Sequence, residues 1–554
     1  MERGRAANIW ESGVTVAELL EQVRAVGGDV WLADGELRYR MPQSPAANTT
    51  ISGLRKAKSA VVAFLKQARG EDSSAGQSEI RAGTVPLAYS QLQHWRLYEL
   101  DTRPALRHMA GVRRIHGELH VAALKQALAE VVARQGALRT TFRAGEGEPM
   151  QLVSTSAGVE LQSLDLTTLP EARRLIEARR QISETIAEPV EICRGPLCAV
   201  RLMKLGPTDH ILLVAMEHII ADMWSLSLLL RDLRCAYVRI SSGQPSELPE
   251  PAVQFASYAA RQREQQVLWL SQHGDYWRER LLASERLCFP ADPDHHDHGQ
   301  GWGMVPVRID ASSCSRLRQW CRARHVTLPM AVFAAYCVLV LEWCARSDGV
   351  IRFEGNGRSA AVADTIGYFT APVFVRLQLR QHETFAQWVD QVQHAYYEAL
   401  ERADNSYFEA QQPRPAFTRN PSFNWVPEAG SDPGSTSQQA TRWTDFAFEN
   451  PLLAKVERDA EPYVLFGAEA LSTLAADPTR PDAVAREAGE GELHGGVYFP
   501  RSRFSQRYMS RFSENLARVV RAMLDDRFTT SGAVEGPAAT AAGPIMTASE
   551  QSRA

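Results

Sequence analysis

From Val85 to about Asp526 the chain alternates segments whose apolar residues recur at helical spacing with short segments of strand character, and this alternation limits the fold to an α/β or α+β class. Val121–Gln135 and Leu226–Ile240 read as amphipathic helices, Pro329–Cys344 as a helix apolar on all sides and therefore buried, and His210–Met216 as an apolar strand. A chain of 554 residues exceeds one ordinary core. Its length suggests about three to four structural units.

The bulk numbers exclude several function classes. A balance of 45% apolar and 23% charged residues is that of a globular chain, and no uninterrupted run of about 18 apolar residues is present to span a bilayer. The N-terminus, Met1-Glu-Arg-Gly-Arg, leads into a polar segment without a secretory apolar core, so a cytoplasmic address is expected. The eight cysteines are scattered without a Cys-x-x-Cys pair, which favours reduced thiols. His295-His-Asp-His298 sits in a Pro/Asp/Gly-rich stretch without a second ligand cluster, and no metal is expected. A net charge of −4 gives no reason to expect nucleic acid.

Chemistry concentrates in Val214-Ala-Met-Glu217-His218-Ile-Ile-Ala-Asp222-Met223-Trp224-Ser225. An apolar strand ending in a histidine holds the imidazole rigidly, and the turn that follows supplies a carboxylate. His-x-x-x-Asp alone occurs in many chains, so its neighbours decide the reading. On a regular strand Glu217 and His218 would point to opposite faces, which makes Glu217 a supporting residue.

Residues 1–70 read as a small separate unit. Val16, Leu19, Leu20, Val23 and Val26 mark an amphipathic helix, and Leu54, Ala57, Val61, Phe64 and Leu65 mark a second. Between them Val30–Leu32, Asp34-Gly35 and Glu36–Met41 read as a β-hairpin with Arg38 and Arg40 on one face and Tyr39 on the other. This unit carries ten Lys/Arg and seven Asp/Glu, a basic balance in an acidic chain and a handle for docking. Residues 71–84 have linker composition, and 528–554 are expected to be a disordered tail.

Taken in order, a set of motifs resembles the condensation domain of nonribosomal peptide synthetases. Pro86–Trp95, Arg134–Phe142, Glu217–Met223, Tyr276–Leu281, Gly355–Arg358, Ile366–Phe369 and Arg419–Phe423 stand where that family has its conserved segments. The resemblance implies an α+β fold of two chloramphenicol-acetyltransferase-like lobes in a V, with lobes at 85–260 and 261–527. It implies acyl transfer from the 4'-phosphopantetheine thioester of a carrier protein to an amine or alcohol, with no cofactor held by the chain itself. His218 matches the second histidine of the signature His-His-x-x-x-Asp-Gly and takes the catalytic role; Asp222 matches the acid, with Arg358 as its expected partner. Glu217 replaces the first histidine and Met223 the glycine, and Met223, Trp224 and Ser225 are expected to line the substrate channel. The first unit resembles an αββα docking domain that takes an acidic C-terminal segment of an upstream acyl or peptidyl carrier protein, here through Arg38, Tyr39 and Arg40. No adenylation phosphate loop and no Gly-Gly-x-Ser carrier motif is found, so the chain is expected to be either a piece of a larger synthetase or a freestanding, chain-releasing enzyme. The alternatives are a catalytically silent recruitment module, or an epimerase or coenzyme-A-dependent acyltransferase of the same superfamily.

Overall fold

The structure is a computed structural model. It describes residues 83–100, 109–144, 147–155, 158–281, 284–293, 295, 301–380, 384–402, 419–425, 441–446, 461–466 and 492–524, together with 29–33, 36–40 and single positions at 23, 51, 58, 61 and 408. The chain divides into two compact units, Met1–Glu79 with Pro251–Val253 and Arg358–Asp364, and the remainder.

In the first unit β1 (Asp29–Ala33) and β2 (Glu36–Arg40) pair antiparallel, with Ala33 opposite Glu36 and Asp29 opposite Arg40. The pairing begins on either side of Asp34-Gly35, a dipeptide suited to the positive φ angles of a tight hairpin turn. Val23, Ile51, Lys58 and Val61 are helical, and Val23 and Val61 are buried. The rest of the two expected helices, most of the 71–84 linker and the 528–554 tail lie outside the described residues.

The second unit opens with β3 (Gly83–Pro86), which occupies the end of the expected linker, and α1 (Tyr89–Leu100). Then come β4 (Met109–Gly117), α2 (Val121–Arg134), β5 (Thr140–Arg143), β6 (Met150–Val153), β7 (Leu161–Asp165), α3 (Glu171–Ala187), β8 (Cys198–Gly206), β9 (Asp209–Met216) and α4 (Met223–Ser241). Strand β9 is buried from His210 to Met216 because it lies between β4 and β8 in the middle of a sheet, which is why its sequence is apolar without alternation. Leu124, Ala127, Leu128, Val131 and Val132 form the buried stripe of α2, as their spacing predicts.

The second half contains α5 (Phe255–Leu281), β10 (Trp302–Ile309), α6 (Ala311–Arg324), α7 (Leu328–Trp343), β11 (Asp348–Gly355), β12 (Ala371–Gln378), α8 (Phe385–Glu401), β13 (Ser422–Trp425), β14 (Thr441–Asp445), β15 (Tyr463–Phe466), β16 (Leu493–Pro500) and α9 (Gln506–Ala522). Helix α7 buries 13 of its 16 residues, the reason its sequence shows no polar face. Thr327 caps it and Pro329 stands in its first turn, where a missing N–H costs nothing.

Among the described residues the strands of this unit form three sheets, ordered β3-β6-β5, β14-β4-β9-β8-β7 and β10-β16-β15-β13-β11-β12. Two elements tie the halves together in ways local pattern does not announce. Strand β14, from the second half of the chain, pairs with β4 and extends the first half's sheet, Thr441 opposite Gly117 and Asp445 opposite Arg113. Helix α5 runs unbroken through the expected lobe boundary at 260, with Trp277 and Leu281 in the core of the second half. Among the described residues, no single helix is long and apolar enough to cross a membrane.

Candidate active site

Strand β9 ends at Met216, two residues earlier than a strand carrying both Glu217 and His218 would require. Glu217 is still extended, but His218–Ile220 form a 3-10 turn that Glu217 caps, its carboxylate accepting from the Ile219 N–H. The expected alternation of the two side chains across a regular strand is therefore replaced by a cap and the turn it closes. Glu217 also donates its own N–H to the Leu197 carbonyl at 2.8 Å, so the strand edge holds the turn from below.

The imidazole of His218 is oriented by its own turn. Its Nδ1 lies 2.8 Å from the Ala221 carbonyl, and a carbonyl only accepts, so Nδ1 carries the proton and Nε2 presents a lone pair. The residue keeps part of its surface exposed. Burial pushes its pKa below the ordinary histidine value, opposed by Asp222 and the backbone, which leaves the ring neutral near pH 7. Burial acts on Glu217 in the opposite sense and pushes its carboxyl up to about 7, against the N–H groups of Ile219 and His218.

Asp222 starts α4. Its Oδ1 accepts from the Ser225 N–H at 2.8 Å and from the Ser225 hydroxyl at 2.7 Å, an N-cap that satisfies donors of the first helical turn. Its Oδ2 accepts from the Phe369 N–H at 3.1 Å, across 147 residues of chain. The Ser225 oxygen in turn accepts from the Gly367 N–H at 3.0 Å. One carboxylate and one hydroxyl thus fasten the 365–369 loop to the start of α4. Gly367 is required there because a Cβ would lie 2.0 Å from the Phe255 ring. Gly357 is constrained twice, by a φ of +59° and by the Phe369 carbonyl 1.9 Å from where its Cβ would stand.

A third element completes the site. On α1, Gln91 donates from Nε2 to the Ile219 carbonyl at 3.1 Å and Ser90 donates to the Tyr368 carbonyl at 2.7 Å. These bonds lock α1 onto both the histidine turn and the 365–369 loop. His94, three and four residues on, shares their helix face. Its ring centroid lies 4.8 Å from that of His218 and 5.1 Å from that of Tyr368, while His218 and Tyr368 are 4.4 Å apart.

The remaining expected residues fall as follows. Met223, at the first position of α4, packs against Leu465 and Tyr498 of β15 and β16, beside Trp302 and Tyr463, and Trp224 is partly exposed. Ser225, expected to line the channel, has 0% exposure and donates its N–H and hydroxyl to Asp222. Arg358 lies in a segment of the first unit and donates from Nη1 to the Val362 carbonyl at 3.0 Å. Arg38, Tyr39 and Arg40 stand on β2 opposite Trp31, Val30 and Asp29. In the second motif, Gln135 accepts from the Ile366 N–H at 2.9 Å and Gly136 donates to Gln254 at 2.9 Å, so that segment also braces the loop bearing Tyr368. No cluster of three or more metal-ligating side chains occurs among the described residues. His94 and Tyr368 were missed by sequence reasoning; the available signal was the spacing of Ser90, Gln91 and His94 on one helix face.

Comparison with known proteins agrees with this architecture. The condensation-domain family profile matches residues 81–439. Chondramide synthase cmdD of Chondromyces crocatus is 30% identical over 326 residues, covering 58% of this chain and 8% of that protein, so the chain spans less than a tenth of that relative's length. The X-domain from teicoplanin biosynthesis superposes with a TM-score of 0.63 at 23% identity, covering 82% of this chain and 98% of that one. The EpoB cyclization-docking bidomain of Sorangium cellulosum gives 0.63 at 18% identity, covering 93% and 100%. These structures share the mixed α+β fold of chloramphenicol-acetyltransferase-like halves. With the family match running through the histidine turn, α1 and the 365–369 loop, the chain belongs to the condensation-domain family of nonribosomal peptide synthetases.

Proposed function

We propose that this chain transfers an acyl or peptidyl group from the phosphopantetheine thioester of a carrier protein to an amine or alcohol. The observation that carries the reading is the Nδ1 contact to the Ala221 carbonyl, which fixes the tautomer and leaves Nε2 of a partly exposed, neutral His218 free to accept a proton. The nucleophile's nitrogen or oxygen lone pair attacks the thioester carbon, the C–N or C–O bond forms and the C–S bond breaks. The nucleophile's proton passes to Nε2 of His218 and on to the departing thiolate. A thioester is already activated, so placement of two tethered reactants supplies much of the acceleration, and the positioned base adds typically about 10²–10⁴-fold.

In this reading Asp222 and Glu217 hold the histidine turn, and Met223 with Trp224 shapes the path of the acyl chain. The pairing of Asp222 with Arg358 is carried by the resemblance alone, and a double-mutant cycle reads it. The first unit acts as a docking domain for the acidic tail of an upstream carrier, with the β2 positions Arg38, Tyr39 and Arg40 as the contact. A two-stranded hairpin in that unit and the likeness to a cyclization-docking bidomain support this. Replacing Arg38 and Arg40 by Glu weakens carrier binding most at low salt, and unchanged affinity removes the docking role. Release of the chain onto a soluble acceptor, in the cytoplasm, is part of the same proposal.

The decisive assay mixes the protein with acyl-loaded carrier and candidate nucleophiles and follows the intact mass of the carrier. Loss of the acyl group that depends on nucleophile and falls about 10²–10⁴-fold in His218→Ala, with an unchanged melting temperature, supports transfer. A second reading is a silent recruitment module, favoured by Glu217 in place of a histidine and by the likeness to an X-domain solved in complex with OxyB. A carrier that keeps its acyl group under every condition selects it, and inverted stereochemistry at retained mass selects an epimerase.

A further inference from the structure

We propose that His94 is a positioning residue for His218, a second imidazole that fixes the first ring and, by taking up a proton itself, disfavours protonation of its neighbour. This inference rests on the acyl-transfer reading but stands on its own geometry. Position 94 is not a surface accident of α1. The helix is fastened one turn earlier by Gln91 to the Ile219 carbonyl, in the same turn that holds His218, and by Ser90 to Tyr368. Both anchoring side chains are buried. The ring they deliver lies 4.8 Å from His218 with an interplanar angle of 44°, and Tyr368 closes the group against both imidazoles.

The charged and titratable side chains around His218 come from each element of the site. Asp222 from the start of α4 favours the imidazolium, buried Glu217 is turned into its own cap, Tyr368 comes from the 365–369 loop and His94 from α1. Two imidazoles this close disfavour double protonation, because like charges in a partly desolvated site repel. Protonating one ring therefore raises the cost of protonating the other, and the two titrate as a pair with macroscopic steps.

The test compares the wild type with His94→Phe, which keeps a ring of similar size and removes the nitrogens, and with His94→Ala, which removes the ring. In the carrier assay His94→Phe is expected to shift the acidic limb of the pH–rate profile up by about one unit, so that the loss is a few-fold at pH 6 and vanishes at pH 8.5. Independently of activity, NMR titration of the ¹³C-histidine-labelled full chain, assigned with His218→Asn, is expected to show His218 titrating higher in His94→Phe than in the wild type. A His218 titration identical in both proteins overturns the proposal. So does an active His94→Phe enzyme with the wild-type pH profile, since packing alone then suffices. If the wild type transfers nothing while the NMR titrations remain coupled, the acyl-transfer reading fails and the histidine pair stands.

Discussion

Two helix starts in this molecule use the same four-residue device. Asp222-Met-Trp-Ser225 opens α4 and Asp310-Ala-Ser-Ser313 opens α6; in each, the aspartate accepts from the serine N–H at 2.8 Å and from the serine hydroxyl, at 2.7 and 2.8 Å. At Asp310 everything stays local. Its carboxylate takes a further bond from Ser312, and these hydrogen bonds hold it well below the usual carboxylate range at an exposed position. At Asp222 the second oxygen instead reaches Phe369, and the serine oxygen receives Gly367. The same local chemistry ends as a surface cap in one place and as the clasp of a reaction site in the other. The difference lies in what the fold brings opposite, a loop from the other half of the chain.

The comparison breaks if the two caps cost the same to remove. Asp222→Ala strands the N–H groups of Ser225 and Phe369 in a buried site and is expected to destabilise by about 3–5 kcal/mol. Ser225→Ala keeps the carboxylate and loses the Gly367 contact, for about 1–2 kcal/mol. Asp310→Ala, losing only an exposed cap, comes last in this series. Urea unfolding of the three variants orders them, and equal midpoints for Asp222→Ala and Asp310→Ala would mean that the reach to Phe369 contributes nothing.

A smaller effect sharpens the contrast between the two acids that bracket the histidine turn. Glu217 is destabilised as an anion, with its carboxyl raised to about 7 from 4.5. A folded-state pKa above the unfolded one means that stability is full below about pH 4.5 and is lost as pH rises through about 7. Glu217→Gln keeps an acceptor for Ile219 and removes the titration. Its melting temperature is therefore expected to gain on the wild type between about pH 5 and pH 8. Glu342 titrates in the same direction in both proteins, so the difference between them isolates Glu217. A constant difference across that range would show that Glu217 is charged throughout.

Much of the scaffold was readable along the chain. Helix α2 follows the spacing of Leu124, Leu128 and Val131, α7 the unbroken apolar run after Pro329, and the hairpin the Asp34-Gly35 pair, because each pattern reports burial within one element. The histidine was legible as the end of an apolar strand. Its surroundings were less so. The strand stops before Glu217 because that side chain prefers the Ile219 N–H, a local competition that periodicity does not register. That Ser225 meets the 365–369 loop was not legible, because nothing in Met223-Trp-Ser225 shows which side faces that loop.

The sequence by itself determined the class of the fold, the ordered condensation motifs and the His218 candidate, since each depends on residues within a few positions of one another. Only the tertiary structure decided that β14 joins the first sheet, that Asp222 clasps Phe369 and that His94 comes to rest against His218. These are contacts between residues more than a hundred positions apart. No local periodicity encodes them, because the free energy that selects them comes from burying several elements together rather than from forming any one of them.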